Sequence, residues 1–139
     1  MQHVKIKNLG SRSLFGKAAQ RLMRFSQRIP CYVGQVLGHV EGVDFYPPVD
    51  VYVTLEEVVV QVPVPGLSSN DIEIAFADSV LLIEGATKSP PRNVRYLLQE
   101  QPRGHFSRTL TLTVPVDAAR ADAWVENGLL LIVFPKGKS

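Results

Sequence analysis

The chain has 139 residues, 45% of them hydrophobic and 20% charged, with a net charge of +2, enough for one domain with a modest core plus an arm. No apolar run approaches the roughly 18 residues that a membrane helix needs, and the N-terminus lacks the apolar stretch and small-residue cleavage site of a signal peptide. The single cysteine, Cys31, makes no internal disulfide, which fits a reducing cytosol and a cytoplasmic location.

The small net charge hides two pieces of opposite sign. Before Glu41 the chain has seven basic residues (Lys5, Lys7, Arg12, Lys17, Arg21, Arg24 and Arg28) and no acidic one. From Glu41 onward 8 basic residues face all 13 acidic ones, a balance of −5. In the basic piece the spacing predicts an amphipathic helix over 13–29. Leu14, Ala18 and Leu22 recur every fourth residue, with Phe15, Ala19, Phe25 and Ile29 nearby, and Lys17, Arg21, Arg24 and Arg28 lie on the other side. Ser13 suits the N-cap and Pro30 ends the helix. Residues 1–46 read as an N-terminal arm.

Beyond Pro47-Pro48 the period becomes two. Val49 to Thr54 and Val58 to Val64 are β-branched runs, the second closed by Pro65-Gly66. Ile72, Ile74 and Phe76 alternate with Glu73 and Ala75, and Val80 to Ile83 follows Asp78-Ser79. In "HFSRTLTLTV", Phe106, Leu110, Leu112 and Val114 share one face while Ser107, Thr109, Thr111 and Thr113 share the other. Arg108 therefore points where apolar groups point. An unpaired buried charge costs several kcal/mol, so its guanidinium needs a carboxylate, several acceptors or an outlet to water at a rim. Ala121, Ala123 and Val125 alternate with Asp122, Trp124 and Glu126, which turns Trp124 outward. Asn127-Gly128 is a primed hairpin turn. The unbroken run Leu129 to Phe134 suits a last strand buried on both faces. Short strands separated by turns, with no helix-length segment among them, make an all-β antiparallel sandwich. The one long connection is "KSPPRNVRYLLQEQPRG", whose length points to a function.

From Pro47 to Lys136 the chain resembles the small heat shock proteins, the family built on the α-crystallin domain. The segments that carry the resemblance are "PPVDVYVT", "VPVPGLSSNDIEIAFADSVLLIEG", "YLLQEQPRGHFSRTLTL" and "ADAWVENGLLLIVFPK". The last holds the family's A-x-x-x-N-G-x-L pattern as Ala123, Asn127, Gly128 and Leu130. The resemblance implies an immunoglobulin-like sandwich over 47–136, a homodimer, and ATP-independent holding of unfolding client proteins. It also implies that the long connection exchanges a strand with a partner, as in bacterial and plant-type members, through Tyr96, Leu97 and Glu100. Gln101 stands where that pattern usually has Arg, and Arg108 falls at a dimer-interface position. In the family a groove receives an I/V-x-I/V motif from a C-terminal extension. Here it would lie between the Ile72–Phe76 strand and the Ala121–Glu126 strand, with Ile72, Ile74, Phe76, Ala123, Trp124 and Val125 around it. After Lys136 only Gly137, Lys138 and Ser139 follow, so that motif is missing. Val4-Lys5-Ile6 has the required spacing, since residues two apart in extended chain project to one side. We expect Val4 and Ile6 to dock in the groove of their own or a neighbouring subunit.

Chemistry is not expected. His3, His39 and His105 lie on three separate elements, and the His39, Glu41, Asp44 trio sits in a glycine-rich linker without a rigid frame for a metal. "GSRSLFGKA" has five residues between its glycines and Ala18 where a phosphate loop needs Ser or Thr. No cofactor or catalytic residue is assigned. The basic arm lacks clustered Lys/Arg with stacking aromatics and the folded part is acidic, which speaks against nucleic acid. A membrane surface is a minor alternative for a basic amphipathic helix. Under the family resemblance, Phe15, Leu22, Met23 and Phe25 would instead contact clients and other subunits, Met being suited to varied partners. A non-catalytic co-chaperone or scaffold of the same sandwich fold is the other alternative.

Overall fold

The computed structural model describes residues 2–8 and 42–137. The helix expected over 13–29, with Phe15, Leu22, Met23 and Phe25, lies outside them. The described residues form nine strands: β1 (Gln2–His3), β2 (Ile6–Asn8), β3 (Asp50–Val53), β4 (Glu57–Pro63), β5 (Ile72–Ala77), β6 (Val80–Ala86), β7 (His105–Thr111), β8 (Asp122–Glu126) and β9 (Leu129–Pro135). They build two sheets, one of five strands in the order β1-β8-β9-β4-β3 and one of four in the order β2-β5-β6-β7. Every pair is antiparallel except β2 with β5. This is the expected all-β sandwich.

Alternation puts one set of side chains from each sheet between them. Val58, Val60, Val62, Leu130, Ile132 and Phe134 from one sheet meet Ile72, Ile74, Phe76, Leu81, Ile83, Phe106 and Leu110 from the other. The rings of Phe76 and Phe134 sit 5.1 Å apart at the centre. The unbroken apolar run of β9 is not buried on both faces. Leu130, Ile132 and Phe134 have no exposure, whereas Leu129, Leu131 and Val133 are half-buried on the outer face. The run looks uniform because β9 is a central strand flanked by β4 and β8, so even its outer face is partly covered.

The turns follow the residues. Asn127 (φ 52°) and Gly128 (φ 74°) both adopt the left-handed conformation that a primed turn requires. Asp78 (φ 49°) and Ser79 (φ 68°) do the same between β5 and β6 without glycine, at a conformational cost. A single 3₁₀ turn at Ser69–Asp71 introduces β5. There the Asp71 carboxylate accepts from the Ser68 backbone N–H at 2.9 Å and hydroxyl at 3.1 Å. That backbone hydrogen bond holds the Asp71 pKa below its ordinary value. Gly85 has no room for a side chain, since a Cβ there would lie 2.6 Å from the Asp71 carbonyl and strike the Phe106 ring.

The packed unit extends beyond 47–136. Val43 is buried, Asp44 N–H donates to the His105 carbonyl at 2.7 Å, and Phe45 bridges to Phe106. Residues 2–8 join both sheets.

Candidate functional site

Between β5, the outer strand of one sheet next to β2, and β8, the strand next to β1 in the other, the sandwich has a notch with Ile72, Ile74 and Phe76 on one side and Ala123 and Val125 on the other, all buried. The chain's own N-terminal residues lie in it. Gln2 and His3 pair antiparallel with Val125 and Trp124, and the Val4 N–H donates to the Ala123 carbonyl at 2.9 Å. Two residues later Ile6, Lys7 and Asn8 pair in parallel with Ile74, Ala75 and Phe76. The segment, a strap of residues 2–8, thus passes from one sheet to the other, leaves Lys5 exposed, and carries Val4 to 6% exposure in the main core with Ile6 packed against it. Burying a side chain of this size stabilises by about 1.5–3 kcal/mol.

Polar side chains at the same two-residue spacing anchor the segment. The Gln2 Oε1 accepts from Ser69 N–H at 3.0 Å, and the Asn8 Nδ2 donates to the Ala118 carbonyl at 3.0 Å. His3 and Asp122 approach to 3.3 Å, but both are exposed and such a contact adds little. Gln2 and Asn8 were not singled out from sequence. Their signal is a polar–apolar–apolar–polar series at every second position from 2 to 8.

Trp124 is not a freely exposed aromatic. It lies opposite His3 and Leu131 on the outer face, half-buried, and its indole N–H is buried without a hydrogen-bond partner among the described residues.

The far side of the sandwich differs. Among the described residues β3 is the last strand of its sheet and pairs only with β4, leaving Tyr52 and Val53 exposed. The long connection from β6 to β7 runs over the surface with Tyr96 40% and Leu97 88% exposed, Leu98 and Val94 beside them, and Glu100 in solvent. Arg103 lies over the Tyr96 ring with its guanidinium carbon 5.4 Å from the centroid. An apolar cavity of about 300 Å³ opens beside this connection, lined by Tyr46, Pro47, Pro63, Leu67, Pro102 and Phe106 among others.

Arg108 lies on β7. It is 6% exposed, and its Nη1 donates to the Pro47 carbonyl at 2.6 Å. The acceptor is the backbone just before β3, not a carboxylate. Desolvation lowers its pKa, though a guanidinium remains charged.

The family's profile, described as the Hsp20/alpha crystallin family, matches residues 50–139. The chain belongs to the Hsp20/alpha crystallin family. It is 33% identical over 96 residues to heat shock protein 16 of Schizosaccharomyces pombe, a match covering 65% of this chain and 66% of that one. A probable 15 kDa heat shock protein of Leptospira interrogans is 30% identical over 92 residues, covering 66% and 71% of the two chains. The solved structure of heat shock protein 16.0 from Schizosaccharomyces pombe superposes with a TM-score of 0.68 at 27% identity, over 90% of this chain and 89% of that one. HspA of Xanthomonas axonopodis gives 0.61 at 30% identity, over 66% and 94%. Membership implies a chaperone role, and members of the family are non-enzymatic chaperones. Among the described residues no three His, Cys, Asp or Glu side chains gather as a metal site would require, and no helix is long and apolar enough to cross a membrane.

Proposed function

We propose that the protein is an ATP-independent holdase of the cytoplasm, which binds extended apolar segments of unfolding proteins and keeps them from aggregating. The observation that carries this reading is the notch between β5 and β8. It offers a strand edge on each side and an apolar floor, and it accommodates an extended Val-x-Ile segment with backbone pairing to both sheets. Strand addition of this kind takes affinity from main-chain hydrogen bonds and selectivity from pockets for alternate side chains. A client segment of the same pattern would compete with Val4 and Ile6 for the same floor. Trp124, one strand position from Ala123, would contact whatever lies along β8.

The second element is self-assembly. The connection carrying Tyr96, Leu97 and Glu100 would cross to a partner and add to its open β3 edge, giving a homodimer by strand exchange. Support comes from the exposure of those apolar side chains and of Tyr52 and Val53, which water does not favour on a lone subunit. In this arrangement Arg108 would hold the Pro47 end of that edge in place rather than reach across the interface.

The test is heat-induced aggregation of an unrelated protein at equimolar subunits without ATP, alongside mass measurement by light scattering. We expect suppression, and stronger suppression at low temperature once residues 1–9 are deleted and the notch is open. Aggregation at the control rate at every temperature would remove the holdase reading. An unchanged oligomer mass after the deletion would leave the strap without a role in assembly.

A further inference from the structure

The cavity beside the β6–β7 connection has an apolar end and a basic end. Its apolar walls include the rings of Phe45 and Phe106, with centroids 5.5 Å apart, together with Tyr46, Pro47, Pro63 and Leu67. Proline fixes its own backbone angle, and Pro47 and Phe106 are buried, so these walls are preformed. An adjoining cavity of about 420 Å³ shares Leu67, Thr87 and Pro102 with the first and adds Lys88 and Arg103. Ligand sites are concave and mostly apolar, with a few placed polar groups. The joined cavities have that make-up.

The donors at the basic end have capacity to spare. Thr87 lines both cavities, and its hydroxyl accepts from the Gly104 N–H at 2.9 Å, which leaves its own proton to give. Arg103 Nε is buried without a hydrogen-bond partner among the described residues, a state that native structures rarely leave unfilled. Lys88 is exposed. Among the described residues neither cation makes an ion pair. Asp71, whose carboxylate feels the Lys88 charge, is bound to Ser68 instead.

This make-up selects a class of ligand. Walls of aromatic and proline rings suit a flat apolar group. A dry cavity of about 150 Å³ takes benzene, so about 300 Å³ admits two fused rings. The described lining residues of both cavities include cations and no acid, which favours an anion, and a guanidinium takes a carboxylate by two parallel bonds.

We propose that the joined cavities bind a small aromatic carboxylate of one or two rings, with the rings against Phe45, Phe106 and Leu67 and the carboxylate on Thr87, Arg103 and Lys88. The site shares no lining residue with the notch between β5 and β8. It does not rest on the holdase reading, because its ligand neither stands in for a client nor displaces residues 2–8.

The experiment is equilibrium dialysis of the full chain against 2-naphthoate, with 2-naphthylmethanol as a neutral probe of similar size. We expect one naphthoate per chain with a Kd below about 1 mM. The alcohol should bind at least about tenfold more weakly, the factor that one charge-assisted hydrogen bond supplies. Arg103→Gln should weaken naphthoate about tenfold and leave the alcohol unchanged. Lys88→Gln, at an exposed position, should weaken naphthoate by about two- to threefold, and by less in high salt. Leu67→Trp should fill the apolar end and abolish binding of both probes. No saturable binding, equal affinity for acid and alcohol, or unchanged binding in both Arg103→Gln and Leu67→Trp would each overturn the proposal. Far-UV circular dichroism of each variant confirms that the sandwich is intact, so a lost signal reads as a lost site.

Discussion

The five-stranded sheet has two ends that solve the same problem in opposite ways. At one end β8 is capped by β1, and residues 2–8 continue across the notch to cap β5 as well. At the other end β3 pairs, among the described residues, with β4 alone and shows Tyr52 and Val53 to solvent. Unpaired strand edges invite other chains. The difference teaches that exposure is distributed: the edge above the apolar floor of the notch is covered from within, whereas the β3 edge stays open among the described residues and is the edge for which we propose assembly.

The largest blow to this comparison is Val4→Asp with Ile6→Asp, which puts carboxylates where the notch is driest. Losing both apolar contacts should cost about 3–5 kcal/mol and lower the thermal midpoint by about 10 °C or more. Binding of an apolar dye should rise with the notch opened. A midpoint within a degree of the parent would mean that the strap does not hold the two sheets. Gly85→Ala tests the wall of the notch from the neighbouring strand β6, where Gly85 lies opposite Ile72. The new methyl collides with Phe106 and the Asp71 carbonyl, and overpacking of this kind costs about 1–3 kcal/mol, read as a lower midpoint in urea with unchanged slope.

Arg108→Met probes the open end. It leaves the Pro47 carbonyl without its donor, worth about 1–3 kcal/mol for a buried acceptor. Loosening should appear in amide exchange of the segment before β3 sooner than in β8 or β9, and uniform loosening would refute the local anchor. Val53→Lys is the converse: the change in stability should stay within about 0.5 kcal/mol, while self-association measured by sedimentation weakens. An unchanged sedimentation profile would exclude this edge from assembly.

The smallest effect concerns pH. The lowered pKa of Asp71 means that its bond to Ser68 stabilises the turn above the ordinary carboxylate value of 3.8 and is lost as pH falls below it. Asp71→Asn should therefore differ from the parent at pH 6, and the gap between their melting points should close toward pH 3. A constant gap would show that the carboxylate's charge is not what caps the turn.

The fold was legible because period-two alternation and turn residues agreed along the whole second part of the chain: Pro65-Gly66, Asp78-Ser79 and Asn127-Gly128 each separate two strands. That Ile72, Ile74 and Phe76 share one face, and Ala123 and Val125 another, was legible on the same grounds; that the two strands border one groove came from the family resemblance. Two features were not legible. The half-exposed outer side of β9 is invisible when every residue in a run is apolar, because alternation needs contrast. The acceptor of Arg108 comes from Pro47, 61 residues away and a backbone carbonyl, a group that every residue carries and no pattern marks. Trp124 was read as outward and lies on the outer face, but its half-burial was not legible: alternation gives a side chain's face, and its neighbour His3 comes from β1, a two-residue strand without periodicity of its own.

The strap has a further consequence as a tethered ligand. Residues 2–8 are covalently attached to the notch they occupy, so they act at an effective concentration of about millimolar, whatever the protein's own concentration. A free segment of similar affinity, present at micromolar levels, is outcompeted about a thousandfold by that arithmetic. Only partners that are longer, that grip a second surface, or that arrive when warming has already loosened the strap can take the notch. Under the proposed holdase role, selectivity for damaged over intact proteins needs no recognition of damage, only a threshold.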